Sequence, residues 1–142
     1  MGQYDADFYG WATEQARLLR AGRLSEADIG NIAEEIESMG RSEKRELINR
    51  LTVLLAHLLK WQVQPALRSN SWRLTIVEQR ARLAEHLKDN PSLRASLPAS
   101  FATAYRFALL GAQRETGLSG DAFPAASPWT GAQAMDDGFL PQ

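Results

Sequence analysis

The sequence predicts an all-α fold: an irregular bundle of about five main helices followed by a short-helix and coil tail at the C-terminal end. Three observations predict it. Apolar residues recur at the three-and-four spacing of a helix from Phe8 to Ala112. Glycines and prolines fall between the periodic stretches, at Gly22, Gly40, Pro65, Pro91 and Gly117. No stretch shows the strict alternation of a half-buried strand.

Size and composition set the frame. A chain of 142 residues with 44% hydrophobic content is the length and make-up of one globular domain. Residues 1–117 are expected to form the bundle core, and residues 118–142, rich in Gly and Pro, to pack on it within the same domain. There is no cysteine, so no disulfide and no thiolate metal ligand is available. The acidic start carries no apolar core of a secretory signal. The richest run, 51–63, is apolar at nine of thirteen positions but contains His57 and Lys60. That run reads as a buried helix and not as a membrane span. The expectation is a cytoplasmic protein that does not engage a membrane.

The formal net charge is −1, but it is unevenly spread. Residues 1–40 hold three basic and eight acidic groups, residues 41–94 eleven and five, and residues 95–142 two and four. Acidic and basic helices lying side by side account for this pattern, and the slightly negative total argues against a dedicated nucleic-acid binder.

The elements follow in order. A first helix is expected over 7–21, with Phe8, Trp11, Gln15 and Leu18 on one stripe and Gly22 as terminator. A second begins at Ser25, which with Asp28 resembles a capping box flanked by a Leu24–Ile29 staple. Ile29, Ile32, Ile36 and Met39 form its apolar face, and Gly40 is expected to end it. A third helix over 42–64 carries Leu47, Leu51, Leu54 and Leu58 in a row, with Ile48, Leu55 and Leu59 beside them, and stops at Pro65. The fourth starts at Ser71 as N-cap and runs to Asp89, with Ile76, Leu83, Ala84 and Leu87 inward. After a turn over 92–97, a further helix over 99–115 presents Phe101, Tyr105, Ala108 and Ala112. In the tail only 128–135 looks helical, and Phe123, Trp129 and Phe139 are expected to pack on the bundle.

Several blocks of this chain occur in the order seen in a known family. They are Tyr4–Asp7 with Trp11, the stretch NIAEEIESMGRSEKRELINRLTVLLAHLLKW, the stretch SWRLTIVEQRARLAEHLKDNPSL, then Tyr105, Glu115-Thr116 and Phe123-Pro124. Through them the sequence resembles the bacterial domain-of-unknown-function family number 29, over nearly its whole length. The resemblance implies an α-helical fold occupying the whole chain and no assigned activity.

Polar residues on apolar faces are the candidates for a site. Arg80 falls in the middle of the Ile76–Leu83–Leu87 arc, where an unpaired guanidinium is costly. A carboxylate from another helix is therefore expected, and Glu35, beside the Ile32–Ile36–Met39 stripe, is chosen over Glu34. The expected Glu35–Arg80 pair would fix helix register. A second polar line, Glu46, Arg50, Val53, His57 and Lys60, flanks the leucine row. Arg50 and His57, two turns apart, are similar in spacing to the arginine–histidine signature of the helical HEPN ribonucleases, where histidine moves a proton and arginine holds a phosphate. Arg50, His57, Lys60, Arg68 and Arg73 are accordingly a candidate polar cluster, with a histidine hydrogen-bonded at the core boundary as the plainer reading.

Metal and cofactor motifs are missing. Leu54 and Leu83 stand three residues before His57 and His86, where a di-iron bundle has glutamate. Two histidines without cysteine argue against zinc, and no phosphate-cradling glycine motif or nucleophile elbow occurs. No metal, cofactor or catalytic residue is assigned. Trp61 and Trp72, with Arg68 and Arg73, flank a bend and either plug a corner or form an interaction surface. The favoured function is a non-enzymatic interaction module that binds a protein or itself, through that corner or the alanine-rich face 101–112. The alternative is a phosphate-directed enzyme or nucleic-acid binder using the polar cluster.

Overall fold

The computed structural model describes residues 2–142, among which there are six α-helices and no strand. The helices are α1 (Gln3–Ala6), α2 (Phe8–Arg20), α3 (Ile29–Val63), α4 (Asn70–Asp89), α5 (Leu97–Thr116) and α6 (Gly131–Met135). The chain divides into two compact units, Met1–Ser42 and Glu43–Gln142, with α3 contributing to both. No helix among the described residues is long and apolar enough to cross a membrane.

The first unit is organised by aromatic packing and one carboxylate. The Tyr4 and Phe8 rings lie 4.6 and 5.5 Å from that of Trp11. Trp11 Nε1 donates to Asp28 Oδ2 at 3.0 Å, Asn31 Nδ2 donates to the same oxygen at 2.8 Å, and the Asp28 amide donates to Gln15 Oε1 at 2.7 Å. Asn31, and after it Trp11, hold the Asp28 carboxyl below its usual range by donating to it. Asp28 therefore joins α2 to the start of α3, and the expected box with Ser25 does not form. Ser25 lies instead in a 3-10 turn, Leu24–Glu26. Leu24 and Ile29 are both more than half exposed, so the expected staple is not buried either.

Gly40 does not end a helix. The helix that starts at Ile29 continues through it for 35 residues. A helical glycine costs only about 1 kcal/mol relative to alanine, and no proline follows until Pro65, so the long leucine-rich half carries the helix through. Gly22, by contrast, takes the left-handed conformation expected of a terminator, at φ +73°.

The second unit holds the hydrophobic core. Leu47, Leu51, Leu54, Leu55, Leu58 and Leu59 of α3 are fully buried. They meet Ile76, Leu83 and Leu87 of α4 and Ala104, Tyr105, Ala108 and Ala112 of α5 within one cluster. The three alanines are 0% exposed, so the small-residue face expected as a possible docking surface is spent on the core. Ala84, expected inward, is exposed. The cap of α4 is Ser69, whose side chain accepts from the Trp72 amide, and not Ser71. Both serines precede an apolar run, and sequence alone does not separate them.

Residues 118–142 complete this core. Phe123, Trp129 and Ala134 are buried within it. Tyr105 donates its hydroxyl to the Pro124 carbonyl at 2.6 Å, and burial raises its pKa. Thr130 and Gln133 form a reciprocal capping box that starts α6.

Leu54 has no exposed surface. Leu54→Ala is expected to cost about 2–5 kcal/mol through lost burial and a residual cavity. Urea unfolding followed by far-UV circular dichroism measures it, with Ala84→Ser, on the exposed side of α4, expected to change stability by less than about 0.5 kcal/mol.

Candidate functional site

Arg80 is 4% exposed, in the apolar face of α4 where its sequence position placed it. Its acceptors differ from the expected one. Nε donates to the Ala134 carbonyl at 2.9 Å and Nη2 to the Phe139 carbonyl at 2.7 Å. Burial lowers the guanidinium's pKa, and Asp137 and Asp136 oppose that effect from a distance. Glu35 instead accepts a hydrogen bond from the Tyr4 hydroxyl, and that bond is the main cause of a Tyr4 pKa pushed up to about 12. The expected Glu35–Arg80 pair is thus replaced by two separate sets of partners. Backbone carbonyls solve the same problem as a carboxylate, because they offer strong acceptors without a second charge to desolvate.

The basic residues of the candidate cluster are engaged one by one. Lys60 is 5% exposed, and its Nζ pairs with Glu115 Oε2 at 2.8 Å while lying 4.9 Å from the centre of the Trp72 ring. Lys60 holds the Glu115 carboxyl below the usual carboxylate range, with His57 and Arg114 assisting. His57 Nδ1 lies 2.8 Å from the Val53 carbonyl; a carbonyl only accepts, so that nitrogen carries the proton. Burial is the main cause of a lowered His57 pKa, and Lys60 adds to it. Arg50 donates to Glu46 Oε1 at 2.8 Å from Nη2. Arg68 donates to the Trp61 carbonyl and stacks 5.1 Å from that ring, and Arg73 donates to Asn70 Oδ1 at 2.7 Å. Only His57 and Lys60 share surroundings, through Glu115; Arg50 and Arg73 are spent on partners in their own helices, and Arg68 on the Trp61 and Pro141 carbonyls. Trp61 and Trp72 are each half-buried beneath a cation, which is how a corner is packed.

Two features had no signal in the sequence. His86 is 8% exposed and brings α4 against Glu43 and Glu46 of α3. Its Nε2 lies 2.8 Å from the Glu43 carbonyl and its Nδ1 3.3 Å from Glu46 Oε2. A search within the helix carrying His86 finds Leu83 at the ligand spacing and misses carboxylates delivered from another helix. The second feature is a cavity of about 650 Å³ between the start of α5 and α6, walled by Leu97, Phe101, Trp129 and Met135 with Arg94 among its lining residues. Trp129 and Met135 from the tail form part of its wall, which no local pattern announces.

Removing the acceptor of a buried cation tests these assignments. Glu115→Gln leaves Lys60 without an anion and is expected to cost about 1–2 kcal/mol at neutral pH. That is less than the roughly 3–5 kcal/mol of a fully buried pair, because Glu115 is half exposed to solvent. The Glu115 pKa is lowered by folding, so its contribution is present above the unfolded carboxylate value. It is lost as pH falls through the lower folded value. Denaturation at a series of pH values should show wild type and Glu115→Gln converging as pH falls below the ordinary glutamate range. Arg80→Met is expected to cost about 2–4 kcal/mol by stranding two carbonyls. Hydrogen exchange should quicken across residues 118–142 and stay unchanged in α2.

A family model described as "Domain of unknown function DUF29" matches residues 3–140. No curated protein and no solved structure matches the chain. The matched span takes in α1 through α6, including Arg80, Lys60, His86 and the tail carbonyls that Arg80 requires. The chain therefore belongs to the family of the domain of unknown function DUF29.

Proposed function

We propose that this protein is a non-enzymatic interaction module that pairs with a second copy of itself through the first part of α3. One observation carries the reading. Ile29, Ile36 and Met39 are 54%, 62% and 66% exposed, whereas the leucines later in the same helix are fully buried. With half-buried Ile32 they stand at successive spacings of three, four and three, the a and d positions of two heptads. Ala33 and Gly40 flank the row and leave room for close approach of a partner helix.

Large apolar side chains in such a row are unusual on a face with no partner. A second copy offers an identical row, and a two-fold pairing lets each copy cover the other without any further component. Completing the burial of a half-exposed Ile or Met contributes about 1–1.5 kcal/mol. Three such residues on each copy then offset an association cost of roughly 4–15 kcal/mol only narrowly. The expected pairing is reversible and concentration-dependent. The engagement of Arg50, Lys60, Arg68 and Arg73 with separate partners favours this reading over a phosphate-directed one.

Sedimentation equilibrium on the full chain tests it. Wild type is expected to show a monomer–dimer equilibrium in the micromolar range, and Ile36→Asp to remain monomeric with an unchanged circular dichroism spectrum. A wild-type chain that stays monomeric throughout that range, or an Ile36→Asp variant that dimerises as before, overturns the proposal.

A further inference from the structure

The geometry around His86 points to a divalent-metal site of the zinc type, with His86 Nδ1, Glu46 Oε2 and a Glu43 carboxylate oxygen as its ligands. The argument begins with hydrogen-bond polarity. The Glu43 carbonyl, 2.8 Å from Nε2, can only accept, so Nε2 carries a hydrogen. In the neutral ring Nδ1 then presents a lone pair. The atom it faces is Glu46 Oε2, at 3.3 Å, which is also an acceptor. Among the described residues no donor reaches Nδ1, although the ring is more than nine-tenths buried. Two acceptors held face to face require a cation between them. That cation is either a proton, which would make the ring an imidazolium, or a metal ion.

The spacing suits the metal. Nitrogen and oxygen ligands about 2.0–2.1 Å from a tetrahedral zinc lie about 3.3 Å from each other. Glu43, one turn before Glu46, brings a second carboxylate: a ring nitrogen of His86 and one oxygen from each glutamate lie within 4.8 Å of one another, and Glu43 Oε2 is 3.6 Å from Nε2, so its carboxylate must swing toward Nδ1 to complete the set. The surroundings match those of a metal-bound histidine as well. A ligating imidazole characteristically donates its other N–H to a carbonyl or carboxylate, which fixes tautomer and ring orientation. Here the Glu43 carbonyl has that place. Arg50 occupies Glu46 Oε1 and leaves Oε2 turned to the ring. Two carboxylates balance a divalent ion, and both are partly exposed, which gives an ion a route in and leaves a fourth position to water.

The site lies within the second unit, and its occupancy does not depend on pairing through α3. The test titrates untagged full-length protein with Zn²⁺ in competition with a chromogenic chelator, and with Co²⁺ followed by visible absorption. Wild type is expected to bind one equivalent and to give the absorption bands of a tetrahedral cobalt site. Glu46→Gln and Glu43→Gln, each conservative and on the exposed rim, are expected to weaken binding at least tenfold. His57→Ala should bind as wild type does, and Ile36→Asp likewise, which separates this outcome from that of the pairing experiment. Absence of one-equivalent binding by wild type would show that a proton alone bridges His86 and Glu46. Undiminished affinity in Glu46→Gln would place the metal elsewhere. Either result overturns the inference.

Discussion

A guanidinium fixed in the apolar face of α4 has to be given acceptors, and the C-terminal segment exists in its observed path because it gives them. Arg80 reaches the carbonyls of Ala134 and Phe139, at the end of α6 and beyond it. Those bonds bring Trp129 and Ala134 over the core, and Tyr105 secures the same segment at Pro124. Without them residues 118–142 would be a Gly- and Pro-rich stretch with little periodicity of its own to fold on. A buried cation thereby becomes a device for ordering coil. The carbonyls it uses are themselves spared burial without a partner.

The sequence made this demand visible and hid its answer. That Arg80 sits among aliphatic neighbours is a matter of helical periodicity, and the structure agrees. Which acceptor meets it depends on the path of the chain to carbonyls 54 and 59 residues later, and a carboxylate is the conspicuous candidate only because side-chain acceptors can be seen in a sequence and backbone ones cannot. The leucine row from Leu47 to Leu59 was legible for the same reason that Glu35 was misassigned: periodicity identifies a face, and says nothing of what lies opposite. Ile29, Ile36 and Met39 repeat the lesson with the opposite sign. Their spacing marks an apolar stripe as clearly as the leucines do, yet one stripe is buried and the other is bare.

Local signals failed where several residue types compete for one role. Gly40 resembles a terminator, but a glycine's cost in a helix is small against the burial that pulls α3 onward. Ser69 and Ser71 both qualify as caps, and the choice falls to the one whose hydroxyl meets the Trp72 amide. Asp28 could cap a helix with Ser25, and is instead drawn to the Trp11 indole, a donor whose burial leaves it no water. For Gly40 and Asp28 the wider packing outweighs a motif that is worth about 1 kcal/mol by itself, whereas the choice between the serines is settled locally by the cap bond.

The charged groups of the second unit fall into two kinds, and the difference bears on function. Lys60 and Arg80 are buried with each donor hydrogen bond aimed at an acceptor, Glu115 for the one and the Ala134 and Phe139 carbonyls for the other, so each is a structural contact. His86 is buried with one nitrogen satisfied and the other turned to an acceptor. An unprotonated nitrogen against a carboxylate is unfavourable by itself, and a buried ring cannot turn to water for relief. The arrangement is stable only when something positive completes it. That requirement sets His86 apart from every other buried polar side chain described above.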